Sequence, residues 1–298
     1  MINQLFGNYL VKAGMLTVDQ LERAFETQKK VRVKLGLIAV TEKLMTLEQS
    51  EEVNKLQAVM DKRFGDIAIE KGYLTDDQVS RLLNLQGNQY LTFAQAVTDN
   101  GFMTLKEFEG AFSDYQRALA FTATDMEALK SGDSDRIVPL FLPGDCEELQ
   151  KEHILVAIRT ILRLIDNDAY IGRASWISSI QAKGVAFQYL AGDMKLALGF
   201  VGCDEAILSI AEGFAKGFAH EEFEKVDMDS LDAVAEFINC INGMFATDVS
   251  SKVFVDMLPP IYREGDVTVA GGRMLKLPVF INGKEMQILS TYDGIINI

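Results

Sequence analysis

Cysteine, histidine and tryptophan are scarce in this chain of 298 residues, which holds three cysteines, two histidines and one tryptophan. Cys146, Cys203 and Cys240 show no Cys-x-x-Cys spacing, and the N-terminus lacks the basic, apolar and small-residue order of a secretory signal. The glutamates that follow His220 indicate a charged helix end rather than metal ligands. We therefore expect a protein of the reducing cytoplasm with no metal site.

Basic residues and long apolar runs are also lacking. The chain has 29 lysines and arginines against 43 acidic residues, a net charge of −14. Nucleic acid is bound through clustered basic side chains, so we expect protein partners rather than nucleic acid. No apolar run approaches the ~20 residues of a spanning helix, so no membrane insertion is expected.

What the chain does have is a hydrophobic share of 48% and a length that favours two domains. Its first 116 residues contain a 29-residue repeat whose copies begin at Leu5, Lys34, Arg63 and Thr92. In each copy the thirteenth position is threonine, followed three residues later by glutamine or glutamate. These pairs are Thr17 and Gln20, Thr46 and Gln49, Thr75 and Gln78, and Thr104 and Glu107. Each pair is a capping box, which starts a helix.

A glycine stands three residues before the threonine in three of the repeats, at Gly14, Gly72 and Gly101. Glycine there ends the preceding helix in a left-handed conformation. The second repeat has Lys43 instead, at a cost of about 1 kcal/mol. Each repeat is thus predicted to be a helix, a tight turn and a second helix, so residues 1–116 form an all-α domain of four stacked helical hairpins.

Repeats two and three contain Lys34-Leu35-Gly36 through Gln57 and Arg63-Phe64-Gly65 through Gln86. This spacing resembles the N-terminal domain of the type II secretion and type IV pilus assembly ATPases, which in some members binds cyclic di-GMP. The resemblance implies nucleotide-binding roles for Lys34, Arg63 and Gly65, although Lys43 replaces a family glycine and only Arg63 keeps the leading arginine. A helical scaffold or partner-docking domain is the main interpretation, and cyclic di-GMP binding is the alternative.

A polar stretch, 131–135, and the Pro143-Gly144 loop punctuate the chain after the repeats. We interpret 117–146 as a linker. The apolar run from Ile137 to Leu142 would at most add an edge strand, because Pro139 cannot donate a hydrogen bond to a sheet.

The remaining residues, 147–298, are predicted to form an α+β domain. A helical apolar stripe follows Glu147, and two β-hairpins are indicated. In the first, Gly192-Asp193 joins runs that alternate with period two. In the second, Asn282-Gly283 joins Met274–Ile281 to Glu285–Tyr292, with Pro278 marking an edge strand. The order of helix, hairpin, two helices and hairpin favours helices packed on an antiparallel sheet.

The segment from Ser230 to Ala246, between these hairpins, is predicted to be a helix with two opposed faces. Its apolar face consists of Leu231, Val234, Ile238, Ile241 and Phe245. The opposite face carries Asp232, Glu236, Asn239 and Gly243, with the small Ala235 and Ala246 beside them. Small residues around one carboxylate and one carboxamide predict a ridge that another protein can approach closely.

The run from Glu236 through Asn239 to Gly243 resembles the phosphatase helix of the CheX/CheC/FliY chemotaxis family, which carries Glu-x-x-Asn followed by glycine. The Pro259-Pro260 turn and Gly265 also match that family. The resemblance covers 147–298. The helix before it has glutamates but no asparagine three residues on, so one site per chain is expected, as in CheX.

The resemblance implies a phosphatase that hydrolyses the aspartyl phosphate of a CheY-like response regulator in chemotaxis or two-component signalling. Asn239 would hold the attacking water, and Glu236 would pair with the lysine beside the regulator's phosphate. Asp232 and Gly243 would contribute to docking. No cofactor of its own is implied, because Mg²⁺ arrives in the regulator, and a homodimer is a further expectation. A non-enzymatic signalling adaptor is the alternative.

Overall fold

The computed structural model describes residues 1–60, 62–218 and 223–298, with side chains up to 216 in the middle range. The chain divides into two compact units. One is Ile2–Asp133, and the other is Ser134–Ile298 together with Met1. The architecture is α+β, with a helical N-terminal region, as predicted.

Nine helices make up the described part of the first unit. They are α1 Ile2–Lys12, α2 Val18–Gln28, α3 Leu35–Thr41, α4 Leu47–Gln57, α5 Phe64–Glu70, α6 Asp76–Asn84, α7 Gln89–Asp99, α8 Leu105–Leu119 and α9 Ala123–Ser131. All four predicted threonines cap a helix with a complete capping box. The glycines before them adopt a φ of 69 to 73°, and Lys43 adopts 58°. The local prediction of the repeats is therefore confirmed.

The glycine at the third position of the first three repeats serves packing inside each hairpin. A methyl group on it would overlap a side chain of the second helix, 14 positions further on. These contacts are Gly7 to Leu21 at 2.5 Å, Gly36 to Ser50 at 2.4 Å, and Gly65 to Val79 at 2.9 Å. Glycine is required because the two helices cross too closely for a Cβ atom.

The four hairpins do not stack in chain order. Phe6 of the first repeat packs edge-on against Phe108 and Phe112 of the fourth, with ring centroids 5.2 and 5.0 Å apart. Phe25 and Phe93 likewise join the first and fourth repeats at 5.4 Å. The second and third repeats pack on each other through α3–α6 and α4–α5. The first and last repeats therefore meet, which a linear solenoid does not allow.

The predicted edge strand at Ile137 to Leu142 is wrong, because this run is helical. Helix α10 spans Ser134–Ile137 and a 3-10 turn follows at Val138–Phe141. Pro139 lies in the first turn of that 3-10 segment, where its missing N–H costs nothing. A short apolar run is compatible with a buried helix as well as with a strand, so periodicity alone could not separate the two.

The second unit also contains three longer helices and seven strands. The helices are α11 Glu148–Leu164, α12 Asp204–Phe218 and α13 Met228–Val249. The strands are β1 Tyr170–Ile171, β2 Ser175–Gly192, β3 Leu196–Gly202, β4 Val255–Met257, β5 Ile261–Ile281, β6 Lys284–Tyr292 and β7 Ile296–Asn297. None of the helices described in the chain is both long and apolar enough to span a bilayer.

All strand pairs are antiparallel, in the order β1-β5-β6-β3-β2-β4, with β7 on β5. Both predicted hairpins, β2–β3 and β5–β6, are confirmed. Asn282 and Gly283 have φ values of 49° and 76°, the left-handed pair that a type I′ turn needs.

Pro278 is not on a sheet edge, so that prediction is wrong. It pairs with Gln287 of β6 on one side. On the other side the N–H of Gly172 donates to the Pro278 carbonyl at 2.8 Å. Strand β1 ends at Ile171, one residue before Gly172. The missing N–H of Pro278 therefore removes no hydrogen bond between β1 and β5.

Strands β2 and β5 are much longer than the predicted hairpins and also pair with each other, from Ser175 opposite Lys276 to Phe187 opposite Ile261. This pairing of β2 with β5 closes the sheet around one apolar core. That core consists of Val185, Phe187, Ala197, Val201, Val269, Met274, Leu289 and Ile296. The other face of the sheet packs against the helices, and Gln188, between the core residues Phe187 and Tyr189, points toward α13.

We predict that Gly65→Ala destabilises the first unit by about 1–3 kcal/mol, because the new methyl group meets the stiff side chain of Val79. Gly110→Ala is the matched control. Gly110 is also helical but has open space around it, so alanine there should stabilise by about 0.5–1 kcal/mol. Thermal unfolding followed by circular dichroism measures both, and equal effects would contradict the packing role.

Lys43→Gly is predicted to stabilise the same unit by about 1 kcal/mol, because glycine adopts the φ of 58° without strain. Hydrogen exchange of α3 and α4 would show slower opening. Unchanged or faster exchange would mean that the Lys43 side chain contributes more than its backbone conformation costs.

Candidate functional site

Helix α13 presents the two faces that the sequence predicts. Asp227 caps its start and forms a capping box with Ser230. The five residues of the predicted apolar face are all buried. On the opposite side Asp232 and Glu236 are exposed, whereas Asn239 and Gly243 are half-buried. We call these four residues the ridge.

The ridge is narrower than predicted. Ala235 was expected beside it but is fully buried, as are the flanking Phe237 and Asn242. The cause is tertiary: α13 packs on β2 and β5 and is flanked by α11 and α12. Of the two small residues predicted beside the ridge, only Ala246 is therefore partly exposed.

The side chain of Asn239 is held from beneath. Gln188 of β2 donates from Nε2 to Asn239 Oδ1 at 2.9 Å, and the same nitrogen donates to the Leu258 carbonyl at 2.7 Å. No described residue accepts a hydrogen bond from Asn239 Nδ2, so that amino group is available to a visiting partner.

A buried chain of polar side chains continues inward from Gln188. Asn242 Nδ2 donates to Gln188 Oε1 at 2.7 Å, and His153 Nε2 lies 2.6 Å from Asn242 Oδ1. Burial lowers the pKa of His153 to about 4, although its hydrogen bond with Asn242 acts in the opposite direction. The imidazole is therefore neutral at ordinary pH.

Sequence reasoning missed Gln188, Asn242 and His153 as parts of this site. A signal was present for Gln188 and for His153. Gln188 interrupts the inward apolar positions of β2 between Ala186 and Leu190, and His153 falls among the apolar residues of α11. A polar residue on an otherwise buried face needs a partner, but one sequence does not tell which partner it finds.

Tyr262, just after the Pro259-Pro260 turn, was also missed. A hydrogen bond with the Asp232 carboxylate raises the pKa of its phenol, and the nearby charges of Asp232, Asp229 and Glu236 add to the shift. Among the residues that the structure describes, no cation forms an ion pair with Glu236. The acidic end of the ridge is thus left without a positive partner.

The surroundings of the ridge differ on its two sides. On one side lies the backbone of Leu258, a residue that is 40% exposed and whose carbonyl shares the Gln188 nitrogen with Asn239. On the other side a groove of about 580 Å³ runs between α11 and α13, lined by Arg159, Arg163 and Gly243 among others. A Cβ atom on Gly243 would meet nothing within 4 Å, so the ridge is open there.

The three nucleotide-binding candidates of the first unit have ordinary structural surroundings. Lys34 Nζ binds Asp99 Oδ1 at 2.8 Å. Arg63 is exposed at the N-cap of α5, and Gly65 faces Val79 inside its hairpin. Nucleotide binding and the resemblance to the secretion and pilus ATPases stay predictions.

No group of histidine, cysteine and acidic residues suited to a metal ion occurs in the described parts of the chain. His220 and the first two glutamates after it lie outside the described residues, so the structure does not address the interpretation of that segment as a charged helix end.

We predict that acid destabilises the second unit partly through His153. Its pKa falls from 6.5 to about 4 on folding, so the stabilising contribution is complete above pH 6.5 and is lost as the pH falls toward 4. The full loss is about 3 kcal/mol. Urea unfolding of wild type and His153→Gln, followed by fluorescence of the single Trp176, should show a smaller loss between pH 7 and 4 in the variant. Parallel curves would contradict a buried neutral imidazole.

A scan against protein-family models finds no match for this chain, and neither does a search of curated proteins. Several solved structures are similar to it. CheX from Desulfovibrio desulfuricans is 12% identical with a TM-score of 0.42, over 49% of this chain and 100% of that one. A CheC-like superfamily protein from Shewanella sp. PV-4 is 16% identical with a TM-score of 0.41, over 49% and 97%. A chain of the CheX–CheY–BeF3–Mg²⁺ complex from Borrelia burgdorferi is 18% identical with a TM-score of 0.38, over 49% and 97%. About half of this chain is thus similar to chains of chemotaxis proteins.

Proposed function

We propose that the second unit is a phosphatase that hydrolyses the aspartyl phosphate of a CheY-like response regulator in chemotaxis or two-component signalling. The observation that carries this proposal is the ridge itself. Glu236 is exposed and has no ion-pair partner among the described residues, and Asn239, one turn further on, is held in one orientation by Gln188. The resemblance of Glu236 to Gly243 to the CheX/CheC/FliY phosphatase helix supports the same function.

The reaction requires little of the protein beyond placing the attacking water correctly. An acyl phosphate is already activated, and phosphoryl transfer passes through a loose transition state that depends on alignment and electrostatics. The second lone pair of Asn239 Oδ1 accepts a hydrogen bond from water and holds the water oxygen in line with phosphorus. Most of the acceleration then comes from the effective concentration of that water.

Glu236 serves docking rather than proton transfer in this proposal. Its carboxylate pairs with the lysine beside the regulator's phosphate, and this charged hydrogen bond sets the register of the helix on its partner. The Mg²⁺ ion belongs to the regulator's own site, so the chain needs no cofactor. Asp232 extends the acidic end of the ridge, and Gly243 leaves room for close approach at the other end.

The test is the decay of an aspartyl-phosphorylated regulator with the purified full chain. Wild type should accelerate decay. Asn239→Ala should lower the maximal rate by about 10²-fold, the cost of a badly placed water. Glu236→Ala should mainly raise the regulator concentration needed for half-maximal rate.

The chain offers a matched control for both substitutions. Glu51 and Asn54 repeat the Glu-x-x-Asn spacing on α4, where both side chains are exposed. Glu51→Ala and Asn54→Ala should therefore leave decay unchanged. A wild-type chain that binds regulators of its own genome without faster decay would support the adaptor alternative, and no effect on any regulator would refute the phosphatase.

A further inference from the structure

Three buried polar side chains lead from the core of the second unit to the ridge. Gln188 is 1% exposed, and Asn242 and His153 are fully buried. Burying amide and imidazole groups costs free energy unless each finds a partner. Apolar side chains of similar size would fill this space without that cost, so stability alone does not explain the polar chain.

Donor and acceptor can be assigned in only one way along the hydrogen bonds that link Gln188, Asn242 and His153. The Leu258 carbonyl can only accept, so Gln188 must turn its amide nitrogen toward it. Gln188 Oε1 then accepts from Asn242 Nδ2, which leaves Asn242 Oδ1 to accept from His153. The imidazole hydrogen is therefore on Nε2, consistent with a neutral ring.

The same logic decides the orientation of Asn239. The Gln188 nitrogen that bonds Leu258 also donates to Asn239, so Asn239 must turn Oδ1 inward. Its Nδ2 then points away from Gln188. An asparagine without such a donor has two amide orientations of similar energy, because the terminal torsion has broad, roughly two-fold minima.

We infer that Gln188 is a positioning residue for the reaction, supported from behind by Asn242 and His153. It fixes the amide of Asn239 so that Oδ1 keeps one lone pair for the attacking water while Nδ2 is free to donate to a phosphoryl oxygen. Accepting a hydrogen bond at Oδ1 also polarises the amide and makes Nδ2 a better donor. This inference rests on the proposed phosphatase function.

Gln188 also connects the water-holding amide of Asn239 to the segment before the Pro259-Pro260 turn. Its nitrogen donates to Asn239 of α13 and to the backbone carbonyl of Leu258, a residue that is 40% exposed. A partner that contacts Leu258 therefore contacts the segment whose carbonyl shares the Gln188 nitrogen with Asn239. Correct docking and correct orientation of the water-holding group depend on the same hydrogen-bond donor.

The test compares Gln188→Met with Gln150→Met in the full chain. Gln150 is a buried glutamine of the same unit whose nitrogen donates to Ser290 at 3.1 Å, with no link to Asn239. Both variants remove one buried amide of the same size. Kinetics with phosphorylated regulator should show kcat reduced about ten-fold or more in Gln188→Met, with KM within two-fold of wild type. Gln150→Met should keep kcat within two-fold, even though it loses a similar amount of thermal stability.

A second measurement does not depend on activity. The side-chain amide resonances of Asn239, assigned by NMR through Asn239→Ala, should move in Gln188→Met and stay in place in Gln150→Met. If wild type fails to accelerate decay, the phosphatase proposal fails, and this comparison still decides whether Gln188 orients Asn239. An unmoved Asn239 amide, a kcat within two-fold of wild type in Gln188→Met, or equal losses of kcat in both variants would overturn the inference.

Discussion

The buried amide of Gln188 needs hydrogen-bond partners, and this requirement connects helix α13 to the rest of the second unit. Its partners come from a helix and from the segment before the Pro-Pro turn, namely Asn239, Asn242 and Leu258. The three elements can meet only in one register. A slip of one residue in β2 would turn Gln188 to the opposite face and leave the partners buried and unpaired.

The proposed reaction would depend on the placement of the ridge side chains rather than on an acid or a base. Helix α13 packs against the sheet and against α11 and α12, which bury its apolar face and leave Asp232 and Glu236 exposed. An acyl phosphate needs alignment more than proton transfer. A half-buried amide oriented from beneath, with an unpaired carboxylate one turn away, suits that need.

The repeats of the first unit depend on a different constraint, which is mostly local. Threonine caps begin the second helices, a left-handed residue ends the first helices, and glycine lets the two cross closely. The caps and the left-handed residues act within about 20 residues of sequence, so they were visible without a structure, whereas the packing role of the glycines was not. The packing of Phe6 on Phe108 was not visible either, since nothing in either repeat specifies which other repeat it meets.

The sequence by itself determined the elements whose signals are local: the capped helices, the Asn282-Gly283 turn, and the two faces of α13. Tertiary structure alone decided that Ile137 to Leu142 is helical, that Pro278 lies inside the sheet, and that the arms of β2 and β5 pair along most of their length. It also decided that His153, Asn242 and Gln188 join behind Asn239. Hydrogen-bond donors need acceptors within about 3 Å, and residues 89 or 54 positions apart reach that distance only when the whole unit is packed.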